Sequence, residues 1–287
     1  MAKTWLITGA SSGFGLSLAR YLLSQGQNVI ATSRNPSKTP DLVREIQSNP
    51  RGRWATLDVT SPKAEIAKII KDAWKDFDGI DVLINNAGYS ILGAAEEIPE
   101  ERAKAQFEVN FWGVIRTTQS MLPLMRSRNS GTIVNISSIA GIDARPTCAI
   151  YAGSKFALEA WSESLSQEIA PFGLRVLIVE PGAFKTKFLS KEAAPIVQPS
   201  EAYKATAVAS ILDRFQSLDG LQPGDPDKAA RIIFELVTKI GVGAGKENML
   251  RVPLGPDSFS RFNESSRRRQ ENLEAMENIA KSTNFDA

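Results

Sequence analysis

The sequence contains no histidine and one cysteine, Cys148. Those absences exclude Ser-His-Asp and Cys-His catalysis and leave no Cys/His set for zinc, so no metal is expected. A single cysteine also excludes an internal disulfide framework, which agrees with a reducing, cytoplasmic setting and makes Cys148 an ordinary small buried residue. No apolar run approaches the roughly 20 residues of a membrane span. The opening "MAKTWLITGA" is basic and then apolar, but the apolar run stops within a few residues at glycine, too short for a signal h-region. Charge of one sign is lacking too. With 34 basic against 32 acidic residues the net charge is +2, which implies neither a nucleic-acid nor an acidic-membrane partner. The run Arg267, Arg268, Arg269 in the polar tail reads as a solvated helix face rather than a binding patch.

What is present is a chain of 287 residues, 43% of them apolar, enough for one large α/β domain or two small ones. Short β-branched runs recur between longer helical patterns: "TWLIT", "NVIATS", "WATLDV", "DVLINN", "GTIVNIS", "LRVLIVE" and "MLRVPL". Their near-continuous apolarity suits strands buried on both faces, as in a parallel sheet covered by helices. One such helix, "SPKAEIAKIIKDAWKDF", has Ser61 as cap, Pro62 at its first turn, and a stripe of Ile66, Ile69, Ile70, Ala73, Trp74 and Phe77. Strict alternation predicts a single-domain, Rossmann-type, doubly wound α/β fold with seven parallel strands and ligands at their carboxyl ends. The domain is expected over residues 1–258, with a small helical substrate lobe over about 184–225 and a polar, helical tail over 259–287.

Directly after the first strand comes "TGASSGFG", with Gly9, Gly13 and Gly15 leading into a helix. Glycines let backbone turn sharply and approach a pyrophosphate, whose charge the helix N-terminus favours. The spacing G-x-x-x-G-x-G differs from the commonest dinucleotide fingerprint, and three glycines also suit plain turn chemistry. Later, "IYAGSK" places Tyr151 and Lys155 about one helical turn apart, on one helix face. A nearby ammonium favours phenolate and pulls down a tyrosine pKa near 10, so tyrosine can stand in for the missing histidine as acid or base. A tyrosine and lysine at this spacing are also a common surface pair.

Taken in order, "TGASSGFG", "LDV", "NNAG", "VNFWG", "IVNISS", "YAGSK" and "VEPGAFKT" resemble the short-chain dehydrogenase/reductase family over about residues 3–190, nearest its steroid- and retinol-dehydrogenase-like branch. The resemblance implies that Tyr151 is the proton donor or acceptor, that Ser138 hydrogen-bonds the substrate carbonyl, and that Lys155 lowers the tyrosine pKa and binds the nicotinamide ribose. Asn110 would hold a water linking Lys155 to solvent. Ser137, the neighbour of Ser138, is turned to the opposite face by strand alternation. The same resemblance makes Gly9, Ser11, Ser12, Gly13, Phe14 and Gly15 the diphosphate loop. It sets Asp58 and Val59 at the adenine, runs Asn86, Ala87 and Gly88 past the adenosine ribose, and puts Pro181, Gly182 and Thr186 at the carboxamide. Family members commonly pair through the two long helices that here follow Glu100 and Tyr151, which implies a homodimer or homotetramer.

The second strand ends in "ATSRNPSK". NAD-specific dinucleotide folds carry an acidic residue there; here Ser33 takes that position, followed by Arg34, with Lys38 nearby, so NADP(H) is the expected cofactor. The expected function is NADP-dependent hydride transfer to or from the carbonyl or alcohol carbon of a small molecule. Phe184, Phe188, Leu189, Ile196, Val197 and Tyr203 suit a lipophilic substrate, and packing of the lobe accounts for the same residues. A dinucleotide-binding regulator without turnover, or a biosynthetic reductase or cyclase using the same pocket, are the alternatives; the complete Asn110, Ser138, Tyr151 and Lys155 set argues against the regulator.

Overall fold

The computed structural model describes residues 2–285. Seven strands form one parallel sheet: β1 (Thr4–Ile7), β2 (Asn28–Ser33), β3 (Gly52–Thr56), β4 (Val82–Asn85), β5 (Gly131–Ile136), β6 (Leu174–Pro181) and β7 (Arg251–Leu254). Their order is β3-β2-β1-β4-β5-β6-β7. The chain therefore starts mid-sheet, winds out to β3 and returns to place β4 on the other side of β1. That reversal opens a crevice at the carboxyl ends of β1 and β4, where doubly wound sheets take their ligands.

Alternation along the central strand fills both faces of the sheet. Trp5 and Ile7 join Leu18, Leu22 and Phe234 on one side, while Leu6 joins Ile66, Ile70 and Met121 on the other. The first face is covered by α1 (Gly13–Ser24), α2 (Pro40–Ser48) and α9 (Pro226–Thr238), the second by α3 (Lys63–Lys75), α5 (Gly113–Ser127) and α6 (Ala149–Ile169). A shorter helix, α4 (Glu100–Phe107), runs into α5 through one π-helical turn, Glu108–Trp112. The lobe after β6 carries α7 (Glu201–Lys204) and α8 (Ala207–Ser217), and the tail is the long helix α10 (Pro256–Lys281).

All seven expected strands are present, with one shift. The third begins at Gly52 and stops at Thr56, because its partner β2 ends at Ser33, the register mate of Thr56. Leu57, Asp58 and Val59 are thereby released into a loop over the crevice. Ser61 does not cap α3: the helix starts at Lys63 and its N-cap position falls on Pro62, without a side-chain hydrogen bond.

The tail adds to the expectation. Arg267, Arg268 and Arg269 are all exposed, as a solvated helix face requires, but Arg268 donates to the Asp143 carboxylate at 2.7 Å and Arg269 to the Ile142 carbonyl at 2.7 Å, while Arg267 pairs with Glu271. The arginine run thus also clasps α10 to the corner that follows β5. Arg261 and Ser265 make the same attachment from the preceding turns.

Candidate active site

The carboxyl end of β1 delivers Thr8 to the loop before α1. Its hydroxyl accepts the backbone N–H groups of Asn86 (2.9 Å) and Ala87 (3.1 Å), while Asn86 Nδ2 donates back to the carbonyls of Thr8 (2.9 Å) and Gly9 (3.0 Å). This reciprocal lacing fixes the glycine loop to the end of β4. Thr8 was not singled out in the sequence, where it reads as the last residue of a strand. Gly9 and Gly13 have φ of +67° and +54°, which glycine alone adopts freely. At Gly15 a Cβ would come within 2.6 Å of the Gly9 carbonyl and of Asn86 Nδ2, so the helix start packs here only as glycine.

The N-terminus of α1 is open to an anion. Ser12 stands at the N-cap without a side-chain hydrogen bond, and the first turn holds no acidic residue. Lys185, Thr186 and Lys187 line a groove with Gly13 and Ser17 beside it, and a Cβ on Gly13 would lie 3.4 Å from Thr186. The loop after β6 thus meets the glycine loop across the crevice. Pro181 ends β6, and Gly182 is confined by Asp257 of α10, whose carboxylate accepts the Ala183 N–H at 2.8 Å. Phe14 stacks against Phe184 with ring centres 5.0 Å apart. A glycine cradle, free N–H groups and flanking lysines together suit a dinucleotide diphosphate.

Toward the adenine end, Asp58 accepts the N–H and hydroxyl of Thr60 (2.9 and 2.7 Å), which shapes the loop after β3. Val59 is buried against Gly113, and its carbonyl accepts Arg116. Ser33 is buried, and its hydroxyl already accepts the Trp54 indole N–H at 3.2 Å. Arg34 and Lys38 are exposed. Burial pushes the Tyr89 hydroxyl up, with the charge of Arg34 opposing.

The catalytic candidates converge from three elements. Tyr151 and Lys155 are both buried on α6. Tyr151 packs against Ala140 in the turn that Ser138 opens after β5, and the Ser138 oxygen accepts the Ala140 N–H at 3.1 Å. Lys155 Nζ donates to the Ile136 carbonyl at 2.8 Å. Asn110 is fully buried in the π-helical turn; its Nδ2 donates to the Tyr89 carbonyl (2.9 Å) and to Ser154 Oγ (3.1 Å), and its Oδ1 accepts the Tyr89 N–H (3.1 Å). A Cβ on Gly88 would lie 3.2 Å from Asn110 Oδ1 and 3.8 Å from Lys155 Nζ. All four candidates therefore gather at the switch point, with Gly88 between two of them.

Electrostatics differ from expectation at one place. Burial raises the Tyr151 pKa, with Ser138 opposing, and Lys155 lies 5.9 Å from the ring centre. In the chain alone desolvation outweighs any depression by the lysine. Burial also lowers Lys155 to about 8, against the pull of Glu159. Ser137 does not turn to the opposite face as alternation predicts: β5 ends at Ile136, and Ser137 donates at 2.6 Å to Glu159 on α6, the helix that carries Tyr151.

The lobe residues divide. Phe188 packs on Tyr151 with ring centres 5.7 Å apart, at the reacting face. Leu189 and Ile196 instead join Leu92, Cys148, Ala194 and Leu212 in a small core that closes the lobe. Tyr203 points outward to Glu96 (2.6 Å). Cys148 is buried, as its composition-level reading had it.

Residues 3–196 match the family model described as short chain dehydrogenase. The chain is 46% identical over 215 residues to oxidoreductase claN of Passalora fulva, covering 75% of this chain and 96% of that protein. A crystal structure of a short-chain dehydrogenase from Streptomyces avermitilis superposes with a TM-score of 0.87 at 36% identity, over 99% of each chain. ElxO with NADP bound superposes with a TM-score of 0.72 at 26% identity, over 91% of this chain and 100% of that one. Solved structures of this fold carry NAD in one case and NADP or NADPH in others.

Proposed function

The chain belongs to the short-chain dehydrogenase family of oxidoreductases, and we propose that it is an NADP-dependent carbonyl or alcohol oxidoreductase with Tyr151 as its general acid/base. The observation that carries the reading is Tyr151 buried against the turn that Ser138 opens, with buried Lys155 one turn along the same helix. A bound nicotinamide dinucleotide would supply or accept the hydride.

The chain's own residues do the rest. The glycine loop over Gly9–Gly15 and the α1 N-terminus hold a diphosphate by backbone N–H groups. Asp58 and Val59 flank an adenine, Asn86 to Gly88 pass a ribose, and Pro181, Gly182 and Thr186 face a carboxamide. Arg34, aided by Lys38, recognises a 2′-phosphate, since a guanidinium makes paired, charge-assisted hydrogen bonds to phosphate. Ser33, already engaged by Trp54, contributes by not being acidic.

At the reacting carbon, Ser138 and Tyr151 hydrogen-bond one substrate oxygen. In reduction the Tyr151 proton moves to that oxygen as it gains charge; in oxidation the proton returns. Lys155 stabilises the phenolate and holds the ribose, and Asn110, locked to α6 through Ser154, shapes the wall through which Lys155 meets solvent. Phe188 against Tyr151 makes an apolar lip that favours a lipophilic carbonyl compound. A cytoplasmic homodimer or homotetramer completes the reading, as do a catalytic unit over 1–258 and a tail over 259–287. The test is a panel of ketones and aldehydes scored by loss of reduced-nicotinamide absorbance with NADPH and with NADH. Turnover with neither cofactor, or with NADH alone, would overturn it.

A further inference from the structure

The end of β5 and the turn beyond it are gripped by three rungs of α6. Lys155 holds the Ile136 carbonyl, Glu159 accepts the Ser137 hydroxyl, and Tyr151 packs on Ala140 in the turn that Ser138 opens. Glu159 lies one helical turn beyond Lys155 on the same face and is 2% exposed. Its carboxylate fills the space at Gly141 that a Cβ would take, so it sits inside the turn that carries Ser138. Arg251 of β7 anchors it, donating at 2.6 Å to the oxygen that Ser137 leaves free.

The charges around it decide its state. Glu159 faces Tyr151, Lys155 and Glu163 on its own helix, Glu180 on β6 and Arg251 on β7; β5 contributes only Ser137. Arg251 also binds Glu163 (2.7 Å) and Glu180. One guanidinium is shared by a half-exposed carboxylate and two buried ones, and burial pushes both buried carboxyls above the usual carboxylate range. Glu180 is the less well held. Its Oε2 is buried with no partner, whereas both Glu159 oxygens accept donors. Desolvation lifts Glu180 to about 7, with Glu159 adding to the rise.

We propose that Glu159 is a positioning residue: anchored by Arg251, it pegs the Ser138 turn against α6 through Ser137 and favours the ammonium of Lys155 one turn away. The proposal rests on the oxidoreductase reading above for what Ser138 and Lys155 do. It adds a buried carboxylate behind the site that never touches substrate.

The full chain and its Glu159→Gln, Glu159→Ala, Ser137→Ala and Tyr151→Phe variants are compared with 9,10-phenanthrenequinone and NADPH. A glutamine can turn its oxygen to Arg251 and its amide to the Ser137 hydroxyl, which accepts as well as donates, so the peg survives and the charge goes. Glu159→Ala and Ser137→Ala should lose about 10- to 100-fold in kcat with the KM for NADPH little changed, the scale of a misplaced catalytic group. Glu159→Gln should recover most of that loss near neutral pH. It should also move the alkaline limb of reduction to lower pH, because Lys155 and Tyr151 both lose the carboxylate that raises them. The Lys155 13Cε resonance of lysine-labelled, cofactor-free protein gives a readout without turnover, and it should titrate at lower pH in Glu159→Gln. Should Glu159→Ala fail to fold, Glu159→Gln and Ser137→Ala carry the same test. Wild-type kcat in Ser137→Ala, or an unmoved Lys155 titration in Glu159→Gln, overturns the proposal. Full turnover in Tyr151→Phe instead overturns the oxidoreductase reading, and the lysine titration still decides the role of Glu159.

Discussion

Lys155 Nζ lies 5.9 Å from the centre of the Tyr151 ring and spends a hydrogen bond on the Ile136 carbonyl at 2.8 Å. The lysine therefore reaches the site from beneath the ring, and the proton on Tyr151 is governed in the free chain by burial and by Ser138. Tyr151→Phe keeps the packing and removes only the hydroxyl. It should lower kcat by roughly 10²- to 10⁴-fold, the usual weight of a general acid or base, and leave the Kd for NADPH within about twofold. Steady-state rates beside cofactor fluorescence titration check both halves.

The depressed Lys155 sets a pH dependence. Its pKa is about 8 where an exposed lysine stands at 10.5, because burial disfavours the ammonium. The proposed mechanism uses the charged lysine in reduction, so as pH rises through about 8 the charge is lost and the rate should fall. Profiles of kcat/KM against pH, taken with a carbonyl substrate, should show that alkaline limb. A rate that stays flat to about pH 10 would place the ionisation elsewhere.

Arg34 is exposed and Ser33 is buried under Trp54, so the proposed recognition of a 2′-phosphate rests on the arginine. A charge-assisted contact is worth roughly 1.5 to 3 kcal/mol. Arg34→Ala should weaken NADP(H) by about 10- to 150-fold and leave NAD(H) almost untouched. Measuring both dissociation constants in both proteins decides it, and an equal loss for the two cofactors refutes the assignment.

Asp143 is the keystone of the tail. It is 3% exposed and accepts Arg145, Arg261 and Arg268, and those guanidinium groups hold its carboxyl at about 2, below the usual 3.8. A carboxylate with a depressed folded pKa stabilises the fold above its unfolded value and loses that contribution as pH falls from about 4 through about 2. Asp143→Asn at neutral pH should cost roughly 1–3 kcal/mol, since the arginines are partly solvated. Thermal melts should drop by several degrees, and limited proteolysis should release α10 first. An unchanged melting temperature would mean that the clasp contributes nothing.

Assembly is open to a direct measurement. Trp112, at the junction of α4 and α5, and Phe172, just beyond α6, are exposed on the helices through which relatives are expected to pair. Light scattering at micromolar concentration should give at least twice the 31.3 kDa of one chain. A mass of one chain would refute the homo-oligomer.

The seven strands, the glycine loop and the Tyr151–Lys155 pair were legible because each is a local pattern. Apolar runs report burial on two faces, glycine reports backbone that must turn or approach closely, and a four-residue spacing reports one helical face. The absence of histidine alone turned attention to tyrosine. What the sequence could not show depends on residues far apart in the chain. Thr8 laces to Asn86 across 78 positions and Asp143 collects Arg268 across 125. Glu159 meets Arg251 across 92. In one dimension Glu159 is one more polar residue on an amphipathic helix, and the arginine run is one more charged stretch. Only the packing of α6 on the end of β5, and of α10 on the turn beyond it, removes water from Glu159 and Asp143 and makes their partners matter. The depressed lysine and the raised tyrosine follow from that same burial, which is why chemistry could be placed on Tyr151 and Lys155 from sequence while their pKa values were set by the fold.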